Sequence, residues 1–183
     1  MKSDFTIITQ KLVLRLPTTD EAQALSDLIS LSPSLYQWLD WVYPDFSLQD
    51  AEKFILANRL NWMKETALGF GVYRRTDNKL IGMVAITEFQ RIANMACIGY
   101  WIGDDFQQQG YGKEALDALI EFCFAKLGLT RLEIICDPNN IPSHIIARKC
   151  GAVEECLAKN RFVFNGKPRD GLVFLLLRKK RSP

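Results

Sequence analysis

A glycine-containing turn joins a strand-like segment to a helical segment near the middle of the chain. It reads Gln107-Gln108-Gln109-Gly110-Tyr111-Gly112-Lys113, between the apolar run Met95 to Ile102 and the helical run Glu114 to Leu127. The first N–H groups of a helix lack intrahelical partners and lie at the positive end of its dipole, so an anion there gains several hydrogen bonds. Gly110 and Gly112 have no Cβ to hold a bulky phosphate away. These residue types at this spacing predict a phosphate-binding turn.

The spacing of this turn excludes two common phosphate-binding motifs. A dinucleotide fingerprint requires G-x-G-x-x-G in the first βαβ unit, and a Walker loop requires Gly-Lys followed by Ser or Thr. Here Lys113 is followed by Glu114, and neither pattern is present. What remains is Gln107-x-x-Gly110-x-Gly112.

Periodic patterns before the turn predict a strand and two helices. Apolar and basic residues alternate from Lys11 to Leu16, as in a half-buried strand, and Thr18 to Glu21 forms a capping box that begins a helix. A second helix is predicted from Ser47 to Met63. Its inward residues are predicted to be Phe54, Ile55 and Leu60. An unusually aromatic connector, Leu35 to Pro44, lies between the two helices.

The remaining patterns predict a mixed sheet. Three antiparallel strands precede the turn, and the strand, helix, strand order that spans it implies a parallel pair with a right-handed crossover. We therefore expect one α+β domain over residues 1–183, with about seven strands and flanking helices. The predicted elements are strands at Gly69–Arg74, Leu80–Phe89, Met95–Ile102 and Leu132–Cys136, helices at Gly112–Leu127 and Ser143–Cys150, and a hairpin of Phe162–Phe164 with Leu172–Leu177 around Asn165-Gly166.

The composition is that of a globular protein without a dominant charge. Apolar residues make up 48% of the chain and charged residues 24%, and the formal net charge is +2, so nucleic acid is not expected as the main partner. The basic run Arg178 to Arg181 contains no aromatic residue and is interpreted as a solvated terminus. No run approaches the ~18 apolar residues of a membrane-spanning helix. The first residues, Met1 to Thr6, contain no apolar h-region, so secretion is not expected.

The cysteines and the single histidine point away from disulfides and metals. The five cysteines are odd in number and none forms a C-x-x-C pair, so we expect free, buried thiols in a reducing cytoplasm. His144 has no second histidine near it, so we expect no metal site and no catalytic role for it. The cysteines are Cys97, Cys123, Cys136, Cys150 and Cys156.

With its preceding strands, the turn resembles the pyrophosphate loop, Q/R-x-x-G-x-G/A, of the GNAT superfamily of acyl-CoA-dependent N-acyltransferases. The resemblance covers nearly the whole chain, and Asn140, eleven residues before Gly151, is its second anchor. The wider signature looks most like the subgroup that acetylates the N-terminal amine of ribosomal proteins, the ribosomal-protein-serine acetyltransferases. It comprises Gly99-Tyr100-Trp101-Ile102, Gln109 to Ala115, Arg131 to Ile134, Asn140 to Ser143 and Gly151.

The resemblance implies a GNAT fold with acetyl-CoA as co-substrate. In the family the two parallel strands splay apart, so that backbone groups of the first strand bind pantetheine like a substitute strand. An N–H group in the opening can also stabilise the thioester oxygen. The implied CoA-binding residues are Ile102, Gln107, Gln108, Gln109, Gly110, Tyr111, Gly112, Lys113 and Asn140.

The resemblance also implies a role for Ser143. Many GNAT enzymes carry a tyrosine four residues before the glycine at Gly151 and use it as an acid, but here that position is Ala147. In the ribosomal-protein subgroup a serine at the Ser143 position assists the departing thiolate instead. A hydroxyl at this place could equally cap the helix, and both interpretations stay open.

The general base is less clearly marked. The glutamate that the subgroup carries before the terminal hairpin is replaced by Arg161-Phe162, and a second family position for a base corresponds to Cys97. Glu88 is the best remaining carboxylate, with Glu133 and Glu155 behind it, and ion pairing at the surface is the alternative for each. Water could also relay the proton, because the reference pKa of an α-amine is near ~7.7 to 8.0.

The aromatic connector is the candidate acceptor site. Trp38, Trp41 and Tyr43 could line its mouth or pack as a lid over the core. We expect the acceptor to be the α-amine of a ribosomal protein. We also expect the protein itself to be a monomer or a homodimer. A small amine such as a polyamine, an antibiotic or an amino acid is the first alternative, and a non-catalytic acyl-CoA sensor is the second. The acidic residues that would suit a polycation are Asp40, Asp45 and Asp50.

Overall fold

A computed structural model describes residues 3–178 of the chain. The order of its elements follows the predicted order, with one short strand added near the N-terminus. The elements are β1 (Thr6–Ile8), β2 (Leu12–Arg15), α1 (Ala22–Ser30), α2 (Leu48–Lys64), β3 (Leu68–Arg74), β4 (Lys79–Gln90), β5 (Met95–Ile102), α3 (Tyr111–Ala125), β6 (Arg131–Cys136), α4 (Ile141–Lys149), β7 (Val153–Phe164) and β8 (Lys167–Leu177). Of the basic run at the C-terminus, Lys179, Lys180 and Arg181 lie outside the described residues.

The eight strands form one mixed sheet in the order β1-β2-β3-β4-β5-β6-β8-β7. Its neighbours are antiparallel except β5 and β6, which are parallel and connected through α3. The predicted α+β class and mixed sheet are confirmed. The additional strand, β1, pairs with β2 through only Thr6, Ile7 and Ile8, which is too short a segment for a clear alternating pattern.

The terminal hairpin is longer than predicted. Its turn lies at Asn165-Gly166 as expected, but β7 begins at Val153 rather than Phe162, and β8 begins at Lys167 rather than Leu172. Because β7 is the edge strand of the sheet, most of its side chains are exposed. An edge strand of this kind lacks the apolar alternation by which sequence reasoning recognises strands.

The helices cover both faces of the sheet. Gly69 on β3 faces α2, where Asn58 donates a hydrogen bond to its carbonyl oxygen at 3.0 Å. The next residue, Phe70, points to the opposite face and contacts Phe122 of α3, with ring centroids 5.8 Å apart. Since successive side chains of a strand point to opposite faces, α1 and α2 pack on one face and α3 and α4 on the other. Within residues 3–178, no helix is long and apolar enough to cross a membrane.

The inward face of α2 differs from the predicted one. Ile55 is fully buried and Phe54 is half-buried, but Leu60 is 43% exposed. The buried stripe consists of Ala51, Ile55, Asn58 and Trp62. Asn58 is a polar member of this stripe, paired with Gly69 in both directions, so an apolar count misplaces the face.

The cysteines are free, as predicted, but two of them are not buried. Cys97, Cys123 and Cys136 are buried, whereas Cys150 is half-buried and Cys156 is exposed. The prediction of burial was wrong for Cys156 because it lies on the edge strand β7. Among residues 3–178, no group of three or more His, Cys, Asp or Glu side chains could hold a metal ion.

Candidate active site

The glycine turn forms the N-terminus of α3, directly after β5. Gly110 is the N-cap residue and has φ +85°, and Gln108 also has a positive φ, +59°. A Cβ on Gly110 would meet no heavy atom within 4 Å. The helix N-terminus is therefore open to an anion, and the left-handed backbone at Gly110 is the reason for a glycine there.

Two glutamine side chains of the turn stabilise the loop itself. The Gln107 amide donates to the Ile102 carbonyl oxygen at 2.9 Å and to Asp104 Oδ1 at 3.1 Å. The Gln109 amide donates to the Asp105 carbonyl oxygen at 2.9 Å. These bonds hold the amide groups of Gln107 and Gln109 within the loop, and no side chain caps the N-terminus of α3.

The other residues of the turn have different surroundings. Gly112 is buried, and a Cβ there would lie 3.3 Å from Ile146 of α4 and 3.4 Å from Ile102. Tyr111 is half-buried. The Lys113 ammonium lies at the surface and pairs with Asp117 at 2.5 Å, so binding of a phosphate by Lys113 would compete with this pair. Ile102 and Gly112 together bring the end of β5 against the start of α3.

The parallel strands β5 and β6 separate in the middle of the sheet. They pair only through Met95 with Arg131, Ala96 with Leu132 and Cys97 with Glu133. Beyond Cys97, the edge of β5 that faces β6 has no strand partner up to Ile102, although β4 pairs with the other edge throughout. The result is a V-shaped opening whose wider end leads to the glycine turn.

Ser143 lies beside this opening, on the α3 and α4 face. Its hydroxyl oxygen is 2.9 Å from the Tyr100 hydroxyl and 3.1 Å from Cys136 Sγ. Asn140 is the N-cap residue of α4, and its side chain accepts a hydrogen bond from the Ser143 N–H. Ser143 is therefore not the capping residue, and that alternative is wrong. Tyr100 is a site residue that sequence reasoning missed, because only the fold brings β5 against α4.

Glu88 lies on the other face, where the pairing of β5 with β6 ends. It follows a register irregularity in β4 and pairs with Cys97 across the strands. Its carboxylate accepts hydrogen bonds from Arg161 at 3.1 Å and from the Cys97 thiol at 3.5 Å. Burial, then the Glu88 and Glu133 carboxylates, raise the pKa of Cys97 to about 12, which keeps this thiol protonated.

Glu133 and Glu155, the other two candidate bases, both form ion pairs with Arg131. Arg131 donates to Glu133 at 2.6 Å and also forms an ion pair with Glu155. Hydrogen bonds from Arg131 lower the pKa of Glu155. Both carboxylates therefore have an ion-pairing role. Glu88 is also ion-paired, with Arg161, but 46% of its side chain remains exposed.

The aromatic connector is divided between the core and the surface. Trp41 stacks on Phe54 of α2 with ring centroids 4.4 Å apart, and it meets Trp101 of β5 edge-on at 6.2 Å. Trp38 is half-buried and Tyr43 is exposed. Through Trp101, the connector reaches the same strand that carries Tyr100, but from the face opposite Ser143. His144 is buried, with Nε2 2.9 Å from the Asp137 carbonyl oxygen.

Comparison with solved structures gives close matches over nearly the full length. The structure of a candidate ribosomal-protein-serine acetyltransferase from Vibrio cholerae is 57% identical, with a TM-score of 0.91, and the match covers 97% of this chain and 100% of that chain. RimL, a ribosomal alpha-N-protein acetyltransferase solved in complex with coenzyme A, is 26% identical, with a TM-score of 0.83 and coverage of 94% and 98%.

Sequence comparisons agree with these structural matches. The ribosomal-protein-serine acetyltransferase of Escherichia coli (strain K12) is 28% identical over 160 residues, which are 85% of this chain and 87% of the relative. A family model described as an acetyltransferase (GNAT) domain matches residues 11–153. That match spans the V-shaped opening, the glycine turn, Glu88 and Ser143, and the chain belongs to the GNAT family of acetyltransferases.

Proposed function

We propose that this protein is an acetyl-CoA-dependent N-acetyltransferase that acts on the N-terminal α-amine of a protein, of the ribosomal-protein-serine type. The observation that carries the proposal is the V-shaped opening, which joins an unpaired edge of β5 to the open N-terminus of α3. The opening offers backbone hydrogen bonds to an extended amide chain, and the helix terminus offers N–H donors to a pyrophosphate. Acetyl-CoA has both features in one molecule.

The residues of the turn fit this ligand. Gly110 leaves the helix terminus uncovered, and the amide groups of Gln107 and Gln109 are held within the loop. In the proposed complex the backbone N–H groups of residues 110–113 bind the pyrophosphate, and the edge of β5 up to Ile102 binds the pantetheine amides. Asn140 contributes by fixing the start of α4 beside the opening.

The candidate chemical groups lie on opposite faces of the sheet. Ser143, on the α4 side, would donate a hydrogen bond to the departing thiolate. Glu88, on the side of α1 and α2, would receive the proton of the attacking amine, directly or through water. Glu88 of β4 pairs with Cys97 of β5. From Cys97 to Tyr100 the strand rises by about 10 Å. This separation leaves room for an amine and a thioester, which are held together so that reaction between them becomes effectively intramolecular.

The acceptor assignment has separate support. RimL and the Escherichia coli relative carry names that specify ribosomal proteins. In this chain Trp41 of the aromatic connector contacts Trp101, on the face that carries Glu88, and the neighbouring Tyr43 is exposed. Exposed aromatic side chains of this kind suit a peptide. We accordingly place the reaction in the cytoplasm, with a ribosomal protein as partner.

The test is an acceptor screen with the purified protein and acetyl-CoA. Peptides beginning with Ser or Ala, the same peptides with a blocked α-amine, and a panel of small amines are incubated in parallel, and free CoA and acetylated product are quantified chromatographically. We expect turnover with the free peptides and none with the blocked ones. Turnover confined to small amines would refute the protein acceptor. CoA binding without turnover of any acceptor would indicate an acyl-CoA sensor.

A further inference from the structure

Tyr100 of β5 lies beside the opening and forms two close contacts with Ser143. Its hydroxyl is 2.7 Å from the Ser143 carbonyl oxygen and 2.9 Å from the Ser143 hydroxyl. We propose that Tyr100 is a positioning residue, which holds Ser143 so that the Ser143 hydroxyl donates a hydrogen bond to the departing thiolate. This inference rests on the proposed acetyl transfer and assigns a specific task to a side chain of β5.

The hydrogen-bond inventory fixes the direction of these contacts. A phenol has one proton, and the Ser143 carbonyl oxygen can only accept, so the Tyr100 proton is used in the 2.7 Å bond. Toward the Ser143 hydroxyl, Tyr100 is then an acceptor. In the unliganded protein the Ser143 proton points at Tyr100, and it is released to another acceptor by rotation of a single O–H bond.

Cys136 completes the arrangement from β6. Its Sγ is 3.1 Å from the Ser143 hydroxyl oxygen, and burial raises the pKa of its thiol to about 11. Burial likewise raises the pKa of Tyr100. Both neighbours of Ser143 are therefore neutral. The Cys136 thiol can donate a hydrogen bond to the Ser143 oxygen while the Ser143 hydroxyl donates its own proton toward the sulfur of the departing thiolate. Neither neighbour carries a negative charge that would attract the Ser143 proton away from the departing thiolate.

The packing around Tyr100 depends on a small residue at position 147. Ala147 is fully buried, and its backbone lies against the Tyr100 hydroxyl. A larger side chain at 147 would need space in this layer between α4 and the sheet. Tyr100 thus brings a phenol from β5 to the turn of α4 in which many GNAT enzymes carry their own tyrosine.

The chemical balance requires no proton transfer from Tyr100. The amine nitrogen forms a bond to the acetyl carbon, the carbon–sulfur bond breaks, and its electron pair leaves with sulfur. The amine proton passes to Glu88 or water, and the thiolate later takes a proton from solvent. The leaving group is the anion of a thiol whose pKa is roughly 8.5. One well-placed hydrogen bond from Ser143 therefore stabilises the sulfur as it leaves.

A double-mutant cycle of Tyr100→Phe and Ser143→Ala tests the proposal. With saturating acetyl-CoA and a Ser-initiated peptide, we expect each single variant to lower kcat about tenfold. The KM for acetyl-CoA should stay within about twofold, since neither hydroxyl is part of the pyrophosphate site. Because Tyr100 acts through Ser143, the double variant should be no slower than Ser143→Ala alone.

Tyr73→Phe is the matched control. It also removes a phenol hydroxyl with a strong hydrogen bond, 2.8 Å from Tyr73 to Glu21, but it lies on β3 outside the site. We expect it to lower the melting temperature and leave kcat unchanged. A multiplied loss in the double variant, or an unchanged kcat in either single variant, would overturn the role of Tyr100 while leaving acetyl transfer intact. Wild-type protein without turnover of any acceptor would refute both proposals.

Discussion

Glu88 is the residue on which the proton-transfer step of the proposed mechanism depends. Its carboxylate already accepts hydrogen bonds from Arg161 and from the Cys97 thiol. We expect Glu88→Gln to lower kcat by about 10- to 100-fold at pH 7, at the lower end of the range for a general base because an α-amine loses its proton readily. The loss should shrink at pH 9, where more of the amine is already neutral. The measurement is kcat with a Ser-initiated peptide at both pH values.

Glu155→Gln is the control for this prediction. Glu155 is a carboxylate of the neighbouring ion-pair cluster, held by Arg131, and its removal should leave kcat within about twofold. If the Glu88→Gln loss is the same at pH 7 and pH 9, then Glu88 anchors Arg161 rather than accepting a proton.

Glu21 provides a prediction about acid stability. Partial burial alone would raise the pKa of this carboxyl, but hydrogen bonds from Arg15, the Thr18 N–H and Tyr73 outweigh it and lower the pKa to about 2, from a reference of 4.5. A lowered pKa in the folded state means that the stabilisation is fully present above pH 4.5 and is lost as the pH falls toward 2.

Unfolding in urea at pH 6 and pH 3 measures this contribution. We expect the wild-type protein to lose about 1 kcal/mol more than Glu21→Gln between the two pH values, after a discount for solvent screening. Glu121→Gln, at an exposed position of α3, should behave as the wild type does. Parallel pH profiles for wild type and Glu21→Gln would contradict the assignment.

At the residue scale, local motifs were predictable and tertiary partners were not. The left-handed position of Gly110 follows from local spacing, because turn geometry is a local property. Asn140 entered only through the family resemblance, and its role as the N-cap residue of α4 was not predicted. The contact of Tyr100 with Ser143 joins residues 43 positions apart, and the pairing of Glu88 with Arg161 joins residues 73 positions apart. Such contacts are set by strand order and register, which single-residue patterns do not contain.

At the scale of elements, the start of α3 is the feature to which we assign binding of the CoA pyrophosphate. Gly110→Glu and Gly110→Gln impose the same strain at φ +85°, about 1–2 kcal/mol in the left-handed region, and have similar size. Only glutamate adds a negative charge where the pyrophosphate should bind. We therefore expect Gly110→Glu to weaken CoA binding at least about tenfold more than Gly110→Gln, measured by calorimetry.

A truncated donor provides the internal control for these variants. Acetyl-pantetheine lacks the pyrophosphate, so its KM should be the same in Gly110→Glu and Gly110→Gln. Equal CoA affinities in the two variants would refute the assignment of the turn, and a glutamate-specific loss with acetyl-pantetheine would locate the effect elsewhere.

The elements themselves were predictable to different degrees. The predicted α3, Gly112–Leu127, differs from the observed Tyr111–Ala125 by one residue at its start and two at its end, because its apolar stripe and N-terminal glycines are strong signals. The inward face of α2 was misplaced at Leu60, because a buried Asn58 interrupts the apolar stripe. β7 was mostly missed because an edge strand is exposed along much of its length.

At the scale of the whole molecule, the sheet is two sections joined by a short parallel seam. β1 to β5 form one section, and β6, β8 and β7 form the other. Three residue pairs connect them, Met95 to Cys97 with Arg131 to Glu133, whereas β6 pairs with β8 along its full length. The sequence predicted a parallel pair here, but the point at which the pair separates depends on the packing of α3 and α4, which is a property of the assembled fold.

The open part of this seam predicts a ligand-dependent pattern of hydrogen exchange. Along a strand, about half of the N–H groups point to each neighbour. In residues 98–102, the N–H groups that face β4 are paired, and those that face β6 have no strand partner, so the second set should exchange rapidly in the free protein.

If pantetheine binds β5 as a substitute strand, saturating CoA should protect the N–H groups of residues 98–102 that face β6, together with those of residues 110–113. Residues 95–97, already paired on both sides, should change little and serve as the internal reference. In Gly110→Glu, the same CoA concentration should protect both segments less, because the added charge weakens binding of the pyrophosphate. Protection of residues 110–113 without any change in residues 98–102 would mean that the pantetheine lies outside the opening, and the proposed geometry of acetyl transfer would then be wrong.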